Sequence, residues 1–222
     1  MKLFDKTLIA DTFNSISKPV LFNNTGGQGY YLDVVISNAH LGMHERRHIH
    51  SLSKFNQGDM VHYADATYLV MEDVVSGRGG KFKSTMEYCN YTIIMPPIEE
   101  KVKVGTDDFG RPIYETIYFP NRDVPAIVKY KDIAVVGQYS ISFAYKTMNV
   151  WIQDNAKNRR DFKVNYVFEM FGRNYKVTNV DIVRNGLLEI YVTTSETSLP
   201  ELPEFEPPGD LVPEVPEDKD KK

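Results

Sequence analysis

Residues 44–48 read His44-Glu45-Arg46-Arg47-His48, a literal H-E-x-x-H, and His40 and His50 flank it, so four of the chain's five histidines fall within eleven residues. On a helix, this spacing sets two imidazoles one turn apart as zinc ligands, with Glu45 placed to deprotonate a metal-bound water. The chemistry would be metal-assisted hydrolysis. Its surroundings argue against it. The two x positions are both arginine, where a buried zinc helix needs apolar neighbours. The extended form of the motif would need glycine at Ser51 and histidine at Lys54. A helix of about ten residues could fit between Asn38 and Ser51, within the usual helix length, so spacing alone leaves the site possible. The same histidines also suit a fortuitous metal-binding face of His40, His44 and His48, or a polar loop or subunit contact that turns cationic at mild acidity. We read the motif as coincidence, with no metal and no cofactor, and the chain as not an enzyme.

Other chemistry-bearing patterns are weaker. GGQG at residues 26–29 lacks the lysine and hydroxyl of a phosphate-binding loop. Asp107-Asp108 stands in GTDDFGRP, where aspartate serves a turn. Cys89 is the single cysteine, so the chain forms no internal disulfide and no multi-thiolate site; it reads as a buried small residue. Trp151 opens an apolar stretch and reads as core.

The elements that would carry these residues are mostly strands. The chain has 222 residues, 14 Tyr and 12 Phe among them, with many short Val/Ile/Tyr runs that favour β-structure. The expected fold is mainly β: two small antiparallel modules, barrel- or sandwich-like, with a short N-terminal helix and a disordered C-terminal tail. Residues 3–16 carry Leu3, Phe4, Leu8, Ile9, Phe13 and Ile16 at helical spacing, ending before Lys18-Pro19. Residues 31–36 read as a strand. Residues 60–63 and 67–72 form a hairpin about a tight Ala64-Asp65-Ala66 turn. Residues 101–104 and 113–119 form a longer hairpin whose polar tip holds Asp107, Asp108, Phe109 and Arg111. Strands follow at 138–146, 150–153, 166–171, 175–180 and 187–192, the last two joined across Asn185-Gly186.

Laying residues 54–74 over 161–181 without a gap matches Phe55 with Phe162, Met60 with Val167, Tyr68 with Tyr175 and Val70 with Val177. Internal duplication and chance likeness of two amphipathic hairpins both account for this. The organisation expected is an N-terminal helix and loop arm (1–29), a first β-module (30–95), a connector with the polar hairpin (96–134), a second β-module (135–197) and a tail (198–222).

The net charge of −4 belongs to that tail. From Leu199 onward eight acidic residues face three lysines, and six of the twelve prolines lie there too, so the segment is expected to stay extended. It is either a solubilising terminus or a peptide that orders against a neighbouring subunit through Leu202, Phe205, Leu211 and Val212. The near-neutral remainder gives no electrostatic case for wrapping nucleic acid. No apolar run approaches the roughly 20 residues that span a bilayer. Asp5, Lys6 and Asp11 interrupt any signal-peptide core, so synthesis in a cytoplasm, with no membrane partner, is expected.

Two passages resemble a known group. Gly58-Asp59-Met60-Val61, Tyr68-Leu69-Val70, Lys83-Ser84 and Cys89-Asn90 form one. Gln153-Asp154-Asn155, Val167-Phe168, Tyr175-Lys176-Val177 and Gly186-Leu187-Leu188 form the other. Over residues 30–195 they resemble β-rich head–tail connector, head-closure and tail-completion proteins of tailed phages infecting Gram-positive bacteria. The resemblance implies a virion structural protein at the head–tail junction, made in the host cytoplasm. It implies a homo-oligomeric ring that contacts portal or adaptor and tail proteins, with packaged DNA passing through unrecognised. In such a ring the hairpin tip (Asp107, Asp108, Phe109, Arg111) would meet the lumen or the next ring, and Leu202, Phe205 and Leu211 would clasp a neighbour. The alternatives are a tail terminator or baseplate component and, from a different class, a zinc hydrolase with His44 and His48 as ligands and Glu45 as base.

Overall fold

The computed structural model describes residues 6–39, 45–77, 80–106, 109–130, 147–182 and 184–196. Helix α1 (Lys6–Ile16) leads into β1 (Lys18–Asn23), β2 (Gly29–Asn38), β3 (Arg46–Ser51), β4 (Met60–Tyr63), β5 (Ala66–Val70), β6 (Val75–Ser76) and β7 (Phe82–Tyr88). These strands form one antiparallel sheet in the order β3-β2-β1-β4-β5-β7-β6, and β3 also pairs with β7, so the sheet closes into a barrel. Alternation fills it. Val20, Phe22, Val34, Ile49, Val61, Tyr68, Val70 and Met86 point inward around Phe55.

The second sheet is built from β8 (Tyr91–Met95), β11 (Arg122–Tyr130), β12 (Met148–Gln153), β13 (Val167–Met170), β14 (Arg173–Asp181) and β15 (Leu187–Thr194), in the order β13-β14-β15-β12-β11-β8. Helix α2 (Ala156–Asp161) follows β12; Asn155 caps it by accepting from the Asn158 amide. The end strands of this sheet come together where the Phe171 amide donates to the Tyr91 hydroxyl at 3.1 Å and the two rings pack at a tilt of 51°.

The two sheets share one topology. Placing β13, β14, β15, β12, β11 and β8 over β4, β5, β7, β3, β2 and β1 reproduces the neighbour order of the first barrel. The duplication read in residues 54–74 and 161–181 is therefore structural. β4 falls on β13, β5 on the start of β14, and each pair is joined by a two-residue turn with positive φ throughout: Ala64 (50°), Asp65 (60°), Phe171 (53°) and Gly172 (68°). Gly58 (83°) and Asn165 (74°) share the left-handed region at equivalent positions, and Phe55 and Phe162 are both buried.

Three boundaries differ from the sequence reading. Lys18–Asn23, expected in an N-terminal arm, is a strand at the heart of the first barrel; Pro19 is tolerated because β4 reaches only Leu21–Asn23, leaving Pro19 paired to β2 alone. β8, expected in the first module, and β11, expected in the connector, both belong to the second barrel. Pairing between strands far apart in the chain overrode proximity along it. The strand expected at 138–146 lies outside the described residues.

Candidate functional site

The histidine stretch is extended where it is described. Glu45 precedes β3, and Arg46–Ser51 alternate between two faces with a period of two, so this part of the stretch is a strand and not a helix. His40 and His44 lie outside the described residues. Glu45 is exposed and accepts from the Tyr68 hydroxyl at 2.7 Å and from Arg47, whose guanidinium lies over the Tyr63 and Tyr68 rings. The Tyr68 bond first, then Arg47, holds the Glu45 carboxyl below its usual range. Glu45 Oε1 thus ties Tyr68 and Arg47 together at the start of β3. On the outer face, burial and then the charges of Lys83, His48 and Lys81 depress His50.

The junction between the barrels is more informative. Met60, Leu69, Met71 and Cys89 from the first half meet Ile127, Trp151 and Leu187 from the second in a buried cluster. Met60 and Leu69 thus bury the outer side of β4 and β5, whose inner side fills the barrel. The Cys89 thiol is pushed up to about 12, by burial and then by Glu87. Buried Glu87 receives Lys129 at 2.7 Å and Arg46 at 3.0 Å, bonding β7 to β11. Gln153 Nε2 donates to both the Asn23 and Gly58 carbonyls at 2.9 Å, and Asn90 bonds both the amide and the carbonyl of Val128. Gly58 and Gly186 touch backbone to backbone. A Cβ on Gly58 would overlap the Gly186 carbonyl, and one on Gly186 would overlap that of Gln57. The sequence reading had Asn185-Gly186 only as a turn; the second glycine's contact was invisible locally.

Beside this junction, Trp151, Asp181, Arg184, Leu187 and Glu189 line a cleft of about 150 Å³, with Arg184 stacked 5.1 Å from the Trp151 ring. Small-molecule sites usually enclose about 300 Å³ or more. Among the described residues no group of three or more His, Cys, Asp or Glu side chains could hold a metal.

The hairpin read at 101–104 and 113–119 is longer than expected and has a distinct relation to the second barrel. β9 (Ile98–Thr106) and β10 (Pro112–Phe119) form a two-stranded sheet of their own, hydrogen-bonded to neither barrel sheet. Met95 lies opposite Arg122 at the end of β8–β11, and three residues on in each strand Ile98 lies opposite Phe119. β8–β9 and β10–β11 are thus one long hairpin in one register. Pro96, Pro97 and Pro120 interrupt its ladder where it leaves the barrel, since proline supplies no donor. Beyond them the arm is exposed on both faces: Val102, Val104, Ile113 and Ile117 on one, Tyr114 and Tyr118 on the other. At its tip Phe109 is 87 % exposed and Arg111 is exposed; Asp107 and Asp108 lie outside the described residues. Leu202, Phe205 and Leu211 lie outside them as well, as does the rest of the tail.

The described residues define a tandem-barrel protein with a projecting arm. The first barrel matches the YomX N-terminal domain over residues 2–88 and the second the YomX C-terminal domain over 91–193. The chain belongs to the YomX family, carrying both domains in order, and these mark it as phage-associated, YomX being a Bacillus phage-region protein. No curated protein matches it. Among solved structures, one described as MrkH, a c-di-GMP-dependent transcription regulatory factor, is similar at 8 % identity over 85 % of this chain and 81 % of that one. Its TM-score of 0.19 supports no conclusion about fold or function. Among the described residues no helix is long and apolar enough to cross a membrane.

Proposed function

We propose that this chain is a structural subunit of a phage particle at the head–tail junction, assembling into a ring that joins head to tail and helps retain packaged DNA. It acts by assembly, without chemistry, cofactor or metal. Its partners are its own copies, portal or adaptor proteins on one side and tail proteins on the other, and DNA passes without base recognition. The observation that carries this reading is the projecting arm. A two-stranded ribbon with both faces in solvent is marginal alone, so a partner that covers its exposed Val102, Val104, Ile113, Tyr114, Ile117 and Tyr118 would stabilise it. The tandem barrels, fixed to each other by backbone contact, supply the rigid base from which such an arm can reach a neighbour. The YomX domains support the phage setting.

The test is a phage carrying a stop codon early in this gene, examined by electron microscopy after induction. The expected products are DNA-filled or leaking heads lying apart from complete tails. Joined particles with defective tail tips would move the protein to the baseplate, and tails of uncontrolled length would make it a terminator. Replacing residues 105–111 by a short glycine–serine turn should give heads that package DNA and then lose it.

A further inference from the structure

We propose that the β9–β10 arms of successive copies pair edge to edge, β10 of one against β9 of the next, so that the arms knit a single intersubunit sheet. The inference rests on the ring reading for closure, and on the arm's own geometry for the seam.

Among the described residues, no further strand pairs with either edge of the arm, whose strands run nine and eight residues. Such edges are templates for a further strand. A single face of the ribbon, about 30 Å by 10 Å, offers about 300 Å², well short of the roughly 800 Å² per partner of a stable interface. Laying one face on a partner is therefore not enough, and a backbone ladder supplies what area does not. The arm also has one free edge on each side, and a ring subunit has two neighbours.

The arm's own register supplies a pairing that the side chains accept. Within the arm, Tyr114 stands opposite Lys103 and Glu115 opposite Val102. Pairing β10 with the β9 of another copy repeats these combinations and sets no like charges directly opposite, which would be destabilising. Such a head-to-tail contact closes into a ring where its rotation allows. The irregularity between Ile113 and Tyr114 adds twist, as a sheet that curves to closure needs.

The experiment uses two full-length variants, Lys103→Cys and Tyr114→Cys, purified separately and oxidised alone or mixed at high concentration. The native Cys89 is buried and unreactive, so the wild type is the unlinked control. The mixture should give a disulfide dimer while each variant alone stays monomeric on a non-reducing gel. A dimer from one variant alone would establish a two-fold seam and overturn the proposal. Absence of any cross-link would overturn it too, including where sedimentation shows a ring, in which case ring assembly stands and the arm is not its seam. Cross-linking in a protein whose loss leaves heads and tails joined would keep the seam and remove the head–tail placement.

Discussion

Replacing Gly58 with alanine tests whether the two barrels are held by backbone contact. Gly58 has φ of 83°, a region that costs an L-residue about 1–2 kcal/mol. Its new Cβ would overlap the carbonyl oxygen, carbon and Cα of Gly186, all backbone, so no side-chain rotation relieves it. Separation of the strands would stretch the two Gln153 bonds to Asn23 and Gly58, each worth about 1 kcal/mol. The sum is about 3–4 kcal/mol, a large share of the roughly 5–15 kcal/mol that holds a domain together. At about 2–4 °C per kcal/mol for a chain of this size, the melting temperature should fall by about 10 °C. Gly172→Ala is the control: its φ is 68° and a Cβ there meets nothing within 4 Å, so only the conformational cost of about 1 kcal/mol applies. Urea unfolding followed by Trp151 fluorescence reads both, because the indole sits in the cluster between the barrels. Equal losses in the two variants would refute the contact argument and leave only backbone conformation.

Asp59 is buried, with Oδ2 accepting from the Tyr30 hydroxyl at 2.7 Å and the Asn56 amide at 2.8 Å. Burial raises its carboxyl above the usual range against those two bonds. A raised folded-state value means stability fully present below the unfolded value of about 4 and lost as pH rises through the folded one. Asp59→Asn keeps both bonds and should abolish that loss, so its stability relative to wild type should increase with pH across that window in urea titrations. Asp59→Ala strands both donors and should cost about 2 kcal/mol at neutral pH. In the β4–β5 turn, Ala64→Asn with Asp65→Gly supplies residues suited to positive φ and should stabilise by about 1 kcal/mol or more; an unchanged melting temperature would count against the assigned turn. Lys129→Met should destabilise by about 2 kcal/mol with little dependence on salt, because it removes one of two cations from buried Glu87; a loss that vanishes in about 1 M salt would place that pair in solvent.

Local alternation and turn chemistry made the hairpins legible: the first strand at 60–63 and the turn at Asn185-Gly186 stand as read, and the return strand read at 67–72 runs at 66–70. The duplication was legible through Phe55 and Phe162, because aromatic core residues must recur where a barrel recurs. Barrel closure was not. β3 meets β7, and β8 meets β11, through long-range choices that strand patterns leave open. Gln153 stood out in the sequence only as part of a short motif, and its bonds to Asn23 and Gly58 depend on residues 130 and 95 positions away. The histidine stretch shows the converse: a spacing that sets two side chains one turn apart on a helix does not do so where Arg46–Ser51 run as a strand.

The shared register of the barrel hairpin and its arm makes reach an adjustable quantity. Inserting one residue pair, one in β9 and its opposite in β10, lengthens the arm by about 3.4 Å without altering any strand below Pro96 and Pro120. A single pair also exchanges the outer faces beyond the insertion, while two pairs restore them. Relatives of this chain can therefore fit partners at different distances by gaining or losing residues in fours, keeping the same barrels as the fixed end of the ruler.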